Sequence, residues 1–329
     1  MDWQGVPVLV TGAGGFIGSH LVEHLVEKGA RVRAFVRYTS RGDVALLRAL
    51  PDEAFDKIEI VRGDLRDASA LQRAMDECEY VFHLGALIAI PYSYVHPREV
   101  IETNVIGTLN VLEAARLTKP KRIIHTSTSE VYGTAKFVPI SESHPLQGQS
   151  PYSASKIGAD KIAESYYRAF DTPVVTVRPF NTYGPRQSTR AIIPTIITQA
   201  LERKEIRLGS LLPTRDFTYV EDTVRGFICA AEADDVLGLE INLGTGHEIS
   251  VGDLAEKIAS VIGRQISIVC EEERLRPGKS EVERLNADNS FAARVMGWQP
   301  EVSLDDGLRQ TINWIRQHLD LYQVADYHV

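Results

Sequence analysis

The chain has few cysteines, no long apolar run and no excess of positive charge, and each shortage removes a class of function. Its three cysteines, Cys78, Cys229 and Cys270, lie far apart, with no C-x-x-C or cysteine–histidine spacing. That argues against a disulfide framework and a metal site, and a reducing, cytoplasmic setting is expected. No apolar stretch approaches the ~18 residues of a spanning helix. The N-terminus runs into Val6-Pro7-Val8-Leu9-Val10-Thr11-Gly12 with no charged-then-apolar leader. A soluble protein that does not enter membranes is the expectation. The net charge is −8 with no compensating basic block, so nucleic acid is not an expected partner. A local arginine cluster can still hold a small diphosphate.

What is present is ordinary in amount and specific in arrangement. With 329 residues, 44% hydrophobic and 24% charged, the chain fits one large α/β domain with an elaborated second lobe. Val8-Leu9-Val10 reads as a buried strand. Thr11-Gly12-Ala13-Gly14-Gly15-Phe16-Ile17-Gly18 follows, and then Leu21, Val22, Leu25 and Val26 recur at helical spacing. Glycines in a strand-to-helix turn suit a dinucleotide: Gly12 for the tight turn, Gly15 for approach to the diphosphate, Gly18 for helix–strand packing. The next strand, Arg31 to Val36, ends in Arg37-Tyr38 where an NAD-binding fingerprint places an acid, and Arg41 is close by. A cation there suits a ribose 2′-phosphate, so NADP is favoured over NAD. Ile58 to Val61 predicts a third strand ending in Gly63-Asp64-Leu65, positioned for the adenine. Tyr80 to Ala86 predicts a fourth, with Leu84 and Ala86 under the cofactor and His83 in a packing role. Val100 to Arg116 predicts a long amphipathic helix, and Lys121 to His125 a strand. This alternation predicts a doubly wound parallel sheet, with ligands at the carboxyl ends of its strands.

Ser127-Thr128-Ser129-Glu130-Val131-Tyr132-Gly133 stands at such an end, and Tyr152-Ser153-Ala154-Ser155-Lys156 follows about twenty residues later. Four residues apart on a helix, the phenol and the ammonium share a face. The lysine charge is expected to lower the tyrosine toward a working general base. Past Val174 to Val177 the chain becomes rich in turn formers, from Arg178-Pro179 to Pro185-Arg186, and later segments weave between sheet and lobe. The expected division is 1–178, with 217–245 returning, for the dinucleotide-binding domain, and 179–216 plus 246–329 for a substrate lobe. Ser250 and Asp253 predict a capped helix.

Taken together, these residues resemble the extended short-chain dehydrogenase/reductases of the nucleotide-sugar epimerase/dehydratase group. The resemblance rests on Thr11-Gly12-x-x-Gly15-x-x-Gly18, His83 to Ala86, Asn104, Ser127 to Gly133, Tyr152-x-x-x-Lys156, Arg178 to Arg186, Arg215 to Asp222 and Arg276-Pro277-Gly278. It implies that Tyr152 takes the sugar C4 hydroxyl proton as hydride leaves. It further implies that Lys156 supports Tyr152 and the nicotinamide ribose, and that Thr128 bonds the sugar O4. Asn181, Arg186, Arg215 and Arg276 would contact the nucleotide diphosphate. Epimerases of the group carry a small or hydroxyl residue before Val-Tyr-Gly; dehydratases carry glutamate, which Glu130 matches as the C5 base. The product would be a 4-keto-6-deoxy sugar. Ser129 departs from many dehydratases, in which an aspartate protonates the leaving C6 hydroxyl; Glu130 acting twice, or Ser129 relaying through water, would replace it. Thr-Ser-Glu also occurs in UDP-glucuronate decarboxylases, and a C4 epimerase is the other alternative. The apolar stretch Ala86 to Tyr94 and Ser143 to Pro151 most resemble 4,6-dehydratases of the legionaminic acid pathway, which act on nucleotide-linked N-acetylglucosamine. Relatives commonly pair as homodimers through the helices of Asn104 to Ala115 and Tyr152 to Phe170.

Overall fold

The computed structural model describes residues 1–275 and 277–322, and of Glu273 only the backbone. Seven parallel strands form the main sheet: β1 (Pro7–Thr11), β2 (Arg31–Arg37), β3 (Glu59–Gly63), β4 (Tyr80–His83), β5 (Arg122–Thr126), β6 (Val174–Pro179) and, after three strands outside it, β10 (Glu240–Leu243). Their spatial order is β10-β6-β5-β4-β1-β2-β3. The chain therefore reverses direction across the sheet between β1 and β4, where the carboxyl ends leave a crevice.

The strands read as continuous apolar runs because both faces are covered. Successive side chains point to opposite faces. Val8, Val10, Phe82, Ile124, Val175 and Val177 pack into one core with Leu21 and Leu25 of helix Phe16–Glu27 and Phe227 of helix Val220–Glu232. Leu9, Val81, Ile123 and Val174 pack into the other with Leu71, Val111, Leu112 and Ala163.

The smaller lobe is built around two small sheets. β7 (Asn181–Tyr183), β9 (Thr214–Tyr219) and β11 (Glu248–Ser250) form one, in the order β11-β9-β7; β8 (Glu205–Leu208) and β12 (Ser267–Cys270) form the other. Asp216 of β9 joins this lobe to the main sheet. Its buried carboxylate accepts from the Thr245 backbone N–H at 2.8 Å, the Thr245 hydroxyl at 2.6 Å, the Gly246 N–H at 2.9 Å and the Ala287 N–H at 3.1 Å. Ser250 caps helix Val251–Ile262 by accepting from the Asp253 N–H. The helix expected over Val100 to Arg116 is a run of three pieces: Pro97–Ile101, a π-helical turn Glu102–Ile106, and Gly107–Thr118. The wider turn carries Asn104, and such insertions concentrate at functional positions.

Candidate active site

Three strand ends meet at the crevice. Register pairs Thr11 with His83 and His83 with His125, so the segments after β1, β4 and β5 leave the sheet side by side. Gly12 has φ +69°, and a Cβ there would meet the Gly85 nitrogen at 2.7 Å. A Cβ on Gly18 would collide with the Gly12 carbonyl, whereas Gly15 meets nothing nearer than 3.1 Å. Helix Phe16–Glu27 starts without a side-chain cap and without an acid in its first turn. Its free N–H groups and positive dipole end therefore suit a diphosphate, and the residues present fit a dinucleotide.

The other expected cofactor residues surround this turn. Leu84 N–H donates to the Thr11 carbonyl at 3.2 Å and Gly85 N–H to its hydroxyl at 3.1 Å, which seats Ala86 beside the glycine turn. Leu65 is buried against Gly85 and Gly107. Asp64 is gripped by Arg66 at 2.7 Å, and that hydrogen bond, opposed by partial burial, holds its carboxyl down at about 2. Arg37 ends β2, is exposed, and lies 3.7 Å from Glu99. His83 is fully engaged: one ring nitrogen meets the Thr11 hydroxyl at 2.8 Å, the other the Thr108 hydroxyl at 3.1 Å.

The catalytic candidates come from β5 and helix Pro151–Phe170. Thr128 begins the short 3₁₀ turn Ser129–Tyr132, and its hydroxyl accepts from the Glu130 N–H at 3.2 Å. The turn buries Ser129, Val131 and Tyr132 and leaves Glu130 partly exposed. Glu130 lies close enough to Tyr152 to act electrostatically on its phenol, and the Thr128 hydroxyl hydrogen-bonds that phenol. Pro151 at the first helical position and a Ser150–Ser153 capping box fix where the helix starts, and hence the phase that aims Tyr152 and Lys156 inward. Asn104 ties the wall together: it accepts from the Leu87 N–H at 2.8 Å and donates to the Leu87 carbonyl and the Ser155 hydroxyl, each at 2.9 Å.

One expectation is corrected here. Tyr152 is raised above its ordinary range, chiefly by burial; the Thr128 hydrogen bond opposes this, while the Glu130 and Asp160 charges add to it. Lys156 is not among its influences; its ammonium donates instead to the Thr126 carbonyl at 2.7 Å. Lys156 is itself drawn down to about 8 by burial, against the pull of Asp160.

The diphosphate candidates are dispersed. Asn181 of β7 donates to the Asp216 carbonyl of β9 at 3.4 Å, within the lobe. Arg215 is buried, donates to the Thr214 carbonyl at 2.9 Å and pairs with Glu281 at 3.2 Å. Arg186 turns away toward Glu23 of the glycine-turn helix at 2.7 Å. Arg276 lies outside the described residues. Reading the sequence missed Asp160, which meets His125, Ser127 and Arg178 directly beneath Lys156. The available signal was its position one helical turn after Lys156, on the same face.

Three comparisons agree with this geometry. A family model described as GDP-mannose 4,6 dehydratase matches residues 9–311. A UDP-glucose 4-epimerase of Mycolicibacterium smegmatis is 35% identical over 94% of this chain and 98% of its own. A dTDP-glucose 4,6-dehydratase of Streptomyces antibioticus is 32% identical over 94% and 92%. The dTDP-glucose 4,6-dehydratase of Streptomyces venezuelae, solved with NAD bound, superposes with TM-score 0.87 at 30% identity, covering 97% of this chain and 99% of that one. With a glycine turn built for a dinucleotide beside a threonine, glutamate, tyrosine and lysine at the sheet's crevice, the chain belongs to the nucleotide-sugar 4,6-dehydratase/4-epimerase family of short-chain dehydrogenase/reductase enzymes.

Proposed function

We propose that this enzyme is a nucleotide-sugar 4,6-dehydratase acting on a UDP- or GDP-linked hexose, with N-acetylglucosamine as the sugar. One observation carries the reading: the 3₁₀ turn buries its other side chains and presents a carboxylate, Glu130, beside the Tyr152 phenol. C4 oxidation is shared with the 4-epimerases among its relatives. Elimination needs in addition a base for the C5 proton, which becomes acidic only once C4 is a ketone.

A dinucleotide held at the Gly12–Gly18 turn would supply the hydride chemistry, accepting hydride from C4 and returning it to C6. The residues supply the proton chemistry. Tyr152, as the phenolate that the positive charge of an oxidised nicotinamide would favour against burial, accepts the C4 hydroxyl proton, with Thr128 orienting the oxygen. Glu130 removes the C5 proton, and the C6 hydroxyl departs as water with a proton from the protonated Glu130. As hydride reaches C6, C5 takes back one proton, balancing the one Tyr152 gained, and the sum is loss of one water. Ser129 is buried and, as an alcohol, cannot be the acid at neutral pH, so Glu130 serves first as base and then as acid.

The wall between β4 and the helix of Asn104 favours an acetamido sugar. Leu87, Ile88, Ala89 and Ile90 offer apolar surface and no cation for a uronate carboxylate. Arg215 remains the diphosphate contact best placed by its burial near the lobe. A homodimer through helices Gly107–Thr118 and Pro151–Phe170 would cover Leu117 and Phe170, large apolar residues left exposed.

Purified protein given UDP- or GDP-N-acetylglucosamine, with no added reductant, is expected to release a 4-keto-6-deoxy product lighter by one water. An unchanged mass with inverted C4 would establish the epimerase instead. We also propose NADP as the preferred cofactor, on the strength of Arg37. Arg37→Asp should weaken NADP roughly tenfold, the worth of one charge-assisted hydrogen bond, and leave NAD equal or tighter. Fluorescence titration with both cofactors measures this; unaltered affinities would refute it.

A further inference from the structure

Beneath Tyr152 and Lys156 lies a buried polar cluster that the reaction above leaves unused. Asp160 is its centre. One carboxylate oxygen meets His125 Nε2 at 3.1 Å; the other accepts from the Ser127 hydroxyl at 2.7 Å and from Arg178 at 3.1 and 3.3 Å. Arg178 is also paired with Glu240 at 2.8 Å and donates to the Tyr132 hydroxyl at 3.0 Å. Above, the His83 and His125 rings stack with centroids 5.7 Å apart.

An isolated carboxylate at such a site would be expelled or protonated. Burial alone would raise Asp160, but the His125 hydrogen bond and the Arg178 and Lys156 charges outweigh it and hold the group at about 2. It is therefore ionised at every working pH. Both histidines are lowered by burial and are neutral at pH 7. The charge acting on Lys156 is Asp160, on its own helix; Arg178 on β6, which Glu240 shares, acts on His125, and Glu130 on the 3₁₀ turn acts on Tyr152. Neutral His83 on β4 and His125 on β5, with the Thr126 carbonyl, complete its surroundings.

We propose that Asp160 is a positioning residue for C4 oxidation: its carboxylate keeps the Lys156 ammonium charged and ties the turn carrying Thr128 to the helix carrying Tyr152. The tie is direct, since Ser127 precedes Thr128 and donates to Asp160, while Thr126 receives the lysine. The inference rests on Tyr152 and Lys156 being the oxidation pair.

The sign of the effect follows from the two groups Asp160 touches electrically. It raises Lys156 against burial and raises Tyr152 as well. Removing its charge should move both ionisations to lower pH together. For one charge at several ångströms in a partly relaxed interior, the move is about one pH unit.

The test compares Asp160→Asn with Ser127→Ala, which removes a hydrogen bond and no charge. The pH profile of kcat/KM is recorded with UDP-N-acetylglucosamine as probe. A second readout is the 295 nm phenolate titration of cofactor-loaded protein, taken against its Tyr152→Phe counterpart. Asp160→Asn should shift both profile limbs and the phenolate midpoint down by about one unit, and Ser127→Ala should leave them in place. A folded Asp160→Asn with an unmoved profile and midpoint, or an equal shift in Ser127→Ala, overturns the proposal. Should Asp160→Asn fail to fold, Asp160→Asn/Arg178→Met replaces the buried pair by neutral groups and should show the same shift. Full turnover by Tyr152→Phe would instead overturn the oxidation pair itself.

Discussion

Tyr152→Phe should lower the rate of reduced-cofactor formation by roughly 10³-fold, the scale of a positioned acid–base group, while cofactor affinity stays close to wild type. The phenol is buried, and the Thr128 hydroxyl is its hydrogen-bonding neighbour. The glycine turn that would hold the diphosphate is built from β1 and helix Phe16–Glu27 and does not depend on it. Phenylalanine keeps the ring and its packing, so a loss confined to chemistry is expected. Single-turnover absorbance in the near ultraviolet, alongside fluorescence titration of the cofactor, separates the two effects. Hydride transfer at the wild-type rate would remove Tyr152 from its assigned place.

Glu130→Gln should do the opposite to the absorbance signal: oxidation proceeds, and the reduced cofactor persists instead of being consumed. Glutamine matches the shape of glutamate, and the Glu130 N–H bond to Thr128 is made by the backbone, so the 3₁₀ turn survives. What is lost is the carboxylate that takes the C5 proton and protonates the departing C6 hydroxyl. Removing a group that acts in two proton transfers should cost overall turnover about 10²- to 10⁴-fold. It should leave the first half-reaction intact, or slightly faster, since the Glu130 charge raises Tyr152. Stopped-flow absorbance paired with mass spectrometry of the released sugar reads both halves. Dehydrated product at an undiminished rate would show that another group serves C5.

Much of this architecture is legible in the sequence because its signals are local. The Gly12, Gly15 and Gly18 spacing, the apolar strands and the Tyr152–Lys156 interval each follow from a few adjacent residues, and the sheet and its crevice follow from their alternation. The illegible parts depend on distant partners. Lys156 was expected to act on Tyr152 from their spacing; its ammonium instead meets a carbonyl thirty positions earlier. Arg186 sits in a turn that suits anion binding, yet its ion pair is with Glu23, across the fold. Asp160 shares a helical face with Lys156, but its partners His125, Ser127 and Arg178 come together only when β5, β6 and its helix are assembled. The π-helical turn at Asn104 has the composition of ordinary helix, so periodicity cannot reveal it.

Asp216 has a consequence for how this protein can be divided. A single buried carboxylate fastens β9 to the 244–246 turn leaving β10 and to the strand-like segment at Ala287. The small sheet of β7, β9 and β11 is therefore moored to the segment that follows the main sheet's β10, rather than hung beside it on a linker. Two modules joined by a linker can be shuffled, swapped or excised, whereas a cut between β9 and the 245–246 turn would leave the Asp216 carboxylate without its partners. Exchanging the segment that carries β9 would therefore also remove the carboxylate that holds the 245–246 backbone and Ala287 in place.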